Sequence, residues 1–139
     1  MNTADNPNAA GEYGMTALMQ AAHRGDSPEV DRLIGLGAEV NQRNDDGNNA
    51  LWFAIRSGDA ATVGMLIGQG VDVDNQNANG ATPLIWAASA ARREMVEILL
   101  ASGANTGLKT LDGFSAQEVA GSREIMKLLM ATHRQAVGQ

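Results

Sequence analysis

The chain has 139 residues, of which 44% are hydrophobic and 19% are charged, a balance typical of one folded domain and not of a disordered chain. Sixteen acidic and ten basic residues give a net charge of −6, which disfavours binding to the phosphates of nucleic acids. The chain contains no cysteine, which excludes disulfides, thiolate nucleophiles and cysteine-based zinc sites.

The N-terminal segment MNTADNPNAAGEYG has neither the basic region nor the apolar run of a signal peptide. No stretch approaches the roughly 20 apolar residues of a membrane span. If Met1 is the native start, we therefore expect a cytoplasmic protein without membrane contact. A chain that had lost a signal peptide would look the same.

A glycine recurs every 33 residues along the chain, at Gly14, Gly47, Gly80 and Gly113. A leucine follows each of the first three glycines by four residues, and an alanine follows all four by seven. The chain is therefore an array of repeats. We place them at 12–44, 45–77, 78–110 and a shortened 111–131, between tails 1–11 and 132–139 that we expect to be mobile.

The first repeat predicts two short helices. One covers about residues 16–24, where apolar residues follow the 3.6-residue period and Thr16 stands at the N-cap position. Ser27 followed by Pro28 predicts the N-cap and the first helical residue of the second helix. Gly37 then occupies the left-handed position that ends a helix.

The later repeats follow this pattern with substitutions. Asn49 stands at the N-cap position that Thr16 and Thr82 occupy in the first and third repeats. Ala91 stands where the first two repeats have glycine. In the fourth repeat Gln117 replaces the core leucine, and the apolar residues of the second helix arrive four residues early. Ser115 with Glu118 predicts a capping box there, and a short, polar last repeat suits a terminal cap.

The motifs G-x-T-x-L-x-x-A-A from Gly14 and G-x-T-P-L-x-x-A-A from Gly80, with V-x-x-L-[IL] and G-[AV]-x-V-[ND] after them, resemble ankyrin repeats. The resemblance covers about residues 12–131. It implies an all-α repeat solenoid, an ankyrin-like stack of helix-turn-helix units joined by β-hairpin-type loops. The histidine usual after the leucine of the family motif is replaced by Met19, Trp52 and Ile85.

The sequence offers little chemistry for catalysis. His23 and His133 are too far apart in such an array to form a triad or a metal site, so we expect no catalytic residue, no metal and no cofactor. The segment from Asn75 to Gly80 matches part of an EF-hand loop, but Trp86 stands where a calcium-binding glutamate is needed. An Asn-rich turn is the favoured interpretation.

Two further features have competing interpretations. Trp52, Phe53 and Trp86 could stack on a ligand, although packing against the neighbouring helices is favoured. The pair Arg92-Arg93 could contact a phosphate, although a solvated turn is the simpler interpretation.

The resemblance implies a protein partner that meets the hairpin tips and the exposed side of the first helices, which line a concave groove. The residues carried over to this surface are Glu12, Tyr13, Met15, His23, Arg24, Arg43, Asp45, Asp46, Asn48, Arg56, Ser57, Asn79, Lys109, Asp112 and Phe114, with Gln76, Ala78, Ala81, Ser89, Ala90 and Leu111 beside them. We expect a non-enzymatic interaction module, monomeric when free. The alternative is a stand-alone inhibitor or antitoxin-type protein that blocks the active site of a partner enzyme.

Overall fold

The computed structural model describes the backbone of residues 6–137 and the side chains of residues 6–132. These residues form eight helices and no strand: α1 (Ala17–Arg24), α2 (Ser27–Gly35), α3 (Ala50–Ser57), α4 (Ala60–Gly68), α5 (Pro83–Ser89), α6 (Arg93–Ala101), α7 (Ala116–Val119) and α8 (Arg123–Val137). A 3₁₀ turn, Glu12–Gly14, precedes α1. The predicted all-α repeat fold is confirmed.

The helices keep the period of the sequence. The first helices of the four repeats begin at Ala17, Ala50, Pro83 and Ala116, at intervals of 33 residues. Helix α7 has lost its last turn, and α8 begins 30 residues after α6. The shift is therefore three residues and not the predicted four.

Two compact halves make up the chain, residues 1–72 and residues 73–139. In the N-terminal half α1 packs against α2 and α3, and α4 packs against the same two helices. In the C-terminal half α5 packs against α6 and α7, and α8 packs against the same two. Ala21, Ala22 and Ala54 are wholly buried, and their small side chains leave room for α1 and α3 to approach closely.

The predicted N-caps of the first helices are confirmed. The hydroxyl of Thr16 accepts from the amide of Met19 at 3.2 Å, and that of Thr82 accepts from the amide of Ile85 at 3.1 Å. Both threonines are buried, so these bonds satisfy amides that water does not reach.

The predicted N-cap of α2 is wrong by one residue. Asp26, and not Ser27, is the N-cap, because its carboxylate accepts from the amide of Glu29 at 3.2 Å. A carboxylate in this position is also favoured by the positive end of the helix dipole. Ser27 and Pro28 form the first turn of the helix.

The loops between repeats end in tight turns, which we call the hairpin tips: residues 11–15, 44–48, 77–81 and 110–114. In all four tips the first amide donates to the fifth carbonyl at 2.8–3.0 Å, and the amide of the glycine donates back to the first carbonyl at 2.8–3.1 Å. Gly80 shows why the glycine is needed. Its φ is 75°, and a Cβ there would lie 2.8 Å from the amide nitrogen of Leu111.

A second series with the 33-residue interval was missed in the sequence: Asn8, Asn41 and Asp74. The side-chain oxygen of each accepts from the amide 31 residues later, at 2.6, 2.7 and 2.8 Å respectively. Gly107 is the fourth member and has no side chain, so the series stops there.

Two observations concern the segments 1–11 and 132–139, which were predicted to be mobile tails. Asn8 is hydrogen-bonded to the first repeat although it belongs to the segment 1–11, and α8 continues to Val137 within the segment 132–139. Residues 1–5 and 138–139 lie outside the described residues. That the tails are mobile stays a prediction.

We predict that Ala91→Gly stabilises the protein. Ala91 has φ 55°, and the equivalent residues Gly25 and Gly58 are also left-handed. Removing the Cβ should raise the free energy of unfolding by about 1 kcal/mol, because an L side chain is disfavoured in this conformation. Urea denaturation measures the change. Gly80→Ala is the opposite control and should destabilise; an Ala91→Gly variant less stable than the parent would contradict the prediction.

Candidate partner-binding surface

The predicted partner residues of the N-terminal half lie on its tips and at the ends of its first helices. We call this set the N-terminal surface: Glu12, Tyr13, Met15, His23, Arg24, Arg43, Asp45, Asp46, Arg56 and Ser57. All are exposed except Met15 and Ser57, which are half-buried. The position of these side chains at the protein surface agrees with the prediction, whereas their binding role stays a prediction.

The first two tips adjoin each other. The amide of Asp45 donates to the carbonyl of Tyr13 at 3.0 Å. A Cβ on Gly14 would lie 2.6 Å from the carboxylate oxygen Oδ1 of Asp45, so this acid lies directly against the first tip. Glu12 and Asp46 flank the two contacting residues in sequence and are exposed. Three carboxylates therefore lie on the same two adjoining tips as Tyr13.

Tyr13 has an unusual conformation. Its φ is 61° and its ψ is 19°, in the left-handed region, and 70% of its surface is exposed. The tip around it is fixed by backbone hydrogen bonds, from Gly11 to Met15 at 2.8 Å and from Met15 to Glu12 at 3.2 Å. The tyrosine ring is thus presented to solvent on a well-defined turn.

Basic side chains lie at the C-terminal ends of the first helices. Arg24 ends α1 and Arg56 lies in the last turn of α3, where the helix dipole favours a cation. The nearest carboxylate oxygen to Arg24 is that of Asp26, at 3.9 Å. His23 meets the edge of the buried Phe53 ring with a centroid distance of 6.0 Å. The surface therefore combines acidic tips with basic helix ends.

Asn48 was predicted to lie on this surface, and that prediction is wrong. Only 9% of its surface is exposed, because its backbone closes the second tip by pairing with Asn44. Its Oδ1 is buried and has no hydrogen-bond partner in the described part of the chain. A buried acceptor of this kind costs stability and cannot reach a partner without rearrangement.

The predicted residues of the C-terminal half are exposed: Asn79, Lys109, Asp112 and Phe114. The third and fourth tips are joined by a hydrogen bond of 2.9 Å from the amide of Leu111 to the carbonyl of Asn79. Leu111 is 80% exposed and Phe114 is 49% exposed. Gln76 has a structural task, since its side-chain amide donates to the carbonyls of Gly80 and Lys109, both at 3.1 Å.

A pocket of about 280 Å³ lies between the end of the third repeat and the last repeat. It is lined by Thr106, Gly107, Lys109, Ser115, Gln117, Glu118 and Leu129. Gln117 occupies the position of the buried Leu51 and Leu84 of earlier repeats, and Glu118 occupies that of Ile85. The polar lining of the pocket thus follows from the change of core residues in the cap.

Packing explains the aromatic residues and the arginine pair. Trp52 and Phe53 are buried, which confirms that they pack. The guanidinium carbon of Arg92 lies 5.8 Å from the centroid of a Trp86 ring, and Arg93 pairs with Glu97 at 2.7 Å and with Glu124. Both arginines have partners within their own half.

The alternative binding sites gain no support. The Oδ1 of Asn77 accepts from the amides of Asn79 and Ala81 at 3.0 and 3.1 Å, which confirms the Asn-rich turn. In the described residues no group of three or more His, Asp or Glu side chains is placed to hold a metal ion. The side chain of His133 lies outside those residues. Between residues 6 and 137 no helix is both long and apolar enough to cross a membrane.

Comparison with known families agrees with this architecture. A family model described as ankyrin repeats, in three copies, matches residues 2–77, 18–110 and 58–137. The chain belongs to the ankyrin repeat family. A search of curated proteins found no match. Ankyrin repeats generally mediate interactions between proteins, and their members are typically not enzymes.

The cap of the last ankyrin repeat should respond to pH. The pKa of Glu118 is lowered from its ordinary value of 4.5, because the amide and then the hydroxyl of Ser115 donate to its carboxylate and Lys109 attracts it. Since the folded pKa is depressed, the stabilisation of α7 is complete above pH 4.5 and is lost as the pH falls through the folded pKa.

We therefore predict that an NMR titration finds a Glu118 pKa below 4.5 and that Ser115→Ala moves it back toward this value. Glu118→Gln should remove the pH dependence of the Ser115 amide signal. A pKa that does not change in Ser115→Ala would show that this capping box does not control the titration.

Proposed function

We propose that this ankyrin repeat protein is a non-enzymatic interaction module that binds a protein partner through its N-terminal surface. The observation that carries the proposal is the uneven charge of the chain. Residues 1–72 contain ten acidic and four basic residues, hence a charge of −6, whereas residues 73–139 contain six of each and are neutral. The electrostatic attraction of a partner would thus come mainly from the first half.

The composition of the N-terminal surface supports the same proposal. Neither Arg43 nor Arg56 forms a salt bridge with the described residues, and both are exposed. Arginine and tyrosine are the residue types most often found to dominate binding energy at protein interfaces. Tyr13 and these arginines lie within one compact half, so a single partner can contact them together.

The alternative function, a stand-alone inhibitor that blocks the active site of an enzyme, remains a second proposal. The exposed, hydrogen-bonded first tip favours it, because a preformed turn can enter a cleft at a low entropic cost. Activity of the partner in the presence of the whole chain distinguishes the two: an inhibitor abolishes the activity, whereas an adaptor leaves it unchanged.

We predict that the triple variant Tyr13→Ala, Arg24→Ala, Arg56→Ala stays folded and loses its partner. The three side chains are exposed, so their removal should change the free energy of unfolding by less than about 1 kcal/mol. Affinity should fall by at least about tenfold, since interface residues of these types commonly contribute more than about 1 kcal/mol each. Calorimetric titration of the partner purified from affinity capture measures this.

The matched control is Arg123→Ala, Lys127→Ala, Leu36→Ala, which removes two cations and one exposed apolar side chain outside the N-terminal surface. This control should bind as the parent does. If the first variant binds the partner as tightly as the parent while folded, the proposed surface is wrong.

A further inference from the structure

We infer that the first hairpin tip is a preformed anchor, and that Tyr13 enters an apolar pocket rimmed by Lys or Arg side chains on the partner protein. This inference rests on the proposed function, because it specifies the chemistry of the partner that the N-terminal surface would bind. It is carried by three features of the tip: the conformation of Tyr13, the rigidity of its turn and the charge around it.

The conformation of Tyr13 is not shared by the equivalent residues of the other tips. In the described residues only Tyr13 and Ala91 combine a side chain with positive φ. The equivalent tip residues Asp46, Asn79 and Asp112 do not have positive φ, although Asn and Asp tolerate it better than tyrosine. Because 70% of Tyr13 is exposed, burial of the ring within its own chain offsets little of this strain.

The turn holds the ring in place before any partner arrives. Two hydrogen bonds span Tyr13, from the amide of Gly11 to the carbonyl of Met15 at 2.8 Å and from the amide of Met15 to the carbonyl of Glu12 at 3.2 Å. The carbonyl of Tyr13 itself accepts from the amide of Asp45 at 3.0 Å. The backbone therefore loses little freedom when the ring is bound. An exposed aromatic side chain on a fixed base is suited to fill a pocket as a dominant contact.

The charge around the ring defines the rim of that pocket. Glu12 lies on the first tip, and Asp45 and Asp46 lie on the adjoining second tip; with Arg43 counted, residues 11–15 and 43–48 carry a net charge of −2. The apolar face of the ring requires an apolar pocket, and its hydroxyl can reach a polar group at the far end. Carboxylates at the base of the ring require basic residues at the mouth of the pocket, since like charges there would repel.

Two glycine variants separate a binding role from a structural one. Tyr13→Gly and Ala91→Gly each remove a side chain from a left-handed residue, so both should raise the melting temperature, by about 4 °C. Only Tyr13→Gly should weaken binding, by about 30-fold. If Tyr13 served only the fold, its replacement would lower the stability of the protein and leave the affinity for the partner unchanged.

The partner is identified by cross-linking from the anchor itself. The full chain carries the photoreactive residue benzoylphenylalanine in place of Tyr13, and a matched chain carries it in place of Leu36, which is 57% exposed outside the N-terminal surface. Mass spectrometry of the adducts from irradiated cells should give a protein captured at position 13 and not at position 36. The cross-linked segment should line an apolar pocket with Lys or Arg at its mouth.

Titration of that purified protein against the variants completes the test. Its affinity for the parent should fall as salt rises from about 0.05 M to about 0.5 M, because the rim contacts are screened. If Tyr13→Gly and Ala91→Gly bind the partner with equal affinity, the inference that Tyr13 is an anchor is overturned. If the double variant Arg24→Ala, Arg56→Ala nevertheless binds more weakly than the parent, the proposed N-terminal surface stands without the anchor. Adducts that are absent, or that lie in an acidic or convex region, overturn the inference, as does a lower melting temperature of Tyr13→Gly.

Discussion

The backbone hydrogen bond between adjacent tips is the constraint on which each half of this protein depends. It joins Asp45 to Tyr13 in one half and Leu111 to Asn79 in the other. Such close approach requires a residue without a Cβ, and glycine at 14 and 80 meets this requirement. At Gly14 and Gly80 the 33-residue interval therefore reflects a backbone contact, whereas a Cβ on Gly113 would have no atom within 4 Å, and glycine is favoured there by its φ of 88°.

The sequence was sufficient to predict the elements whose signals are local. The helices α1, α5 and α7 are capped as predicted by Thr16, Thr82 and the Ser115-Glu118 box. These caps were predictable because a hydroxyl directly before an amphipathic segment can accept a hydrogen bond from an amide of the first helical turn. The N-cap of α2 was assigned one residue too late, since Asp26 and Ser27 both carry an oxygen that can cap a helix. Asn8, Asn41 and Asp74 were missed because they differ in residue type and the first precedes the recognisable repeats.

The candidate surface was predictable in composition but not in conformation. Side chains at the tips are exposed because the turns project from the packed helices, and that follows from their place in the repeat. Burial of Asn48 and the left-handed backbone of Tyr13 depend on how a particular turn closes, which no residue pattern encodes. The charges of the two halves can be counted from the sequence only when the boundary at residue 72 is known, and that boundary comes from the structure.

The side-chain series of Asn8, Asn41 and Asp74 also has a consequence for truncation of the chain. Each bond joins residues 31 apart and so ties the start of one 33-residue interval to its end. The first of these bonds begins at Asn8, outside the recognisable repeats. A shortened chain that starts at residue 12 would keep every repeat motif but lose the 2.6 Å bond that holds the amide of Glu39, and should therefore be less stable than the full chain.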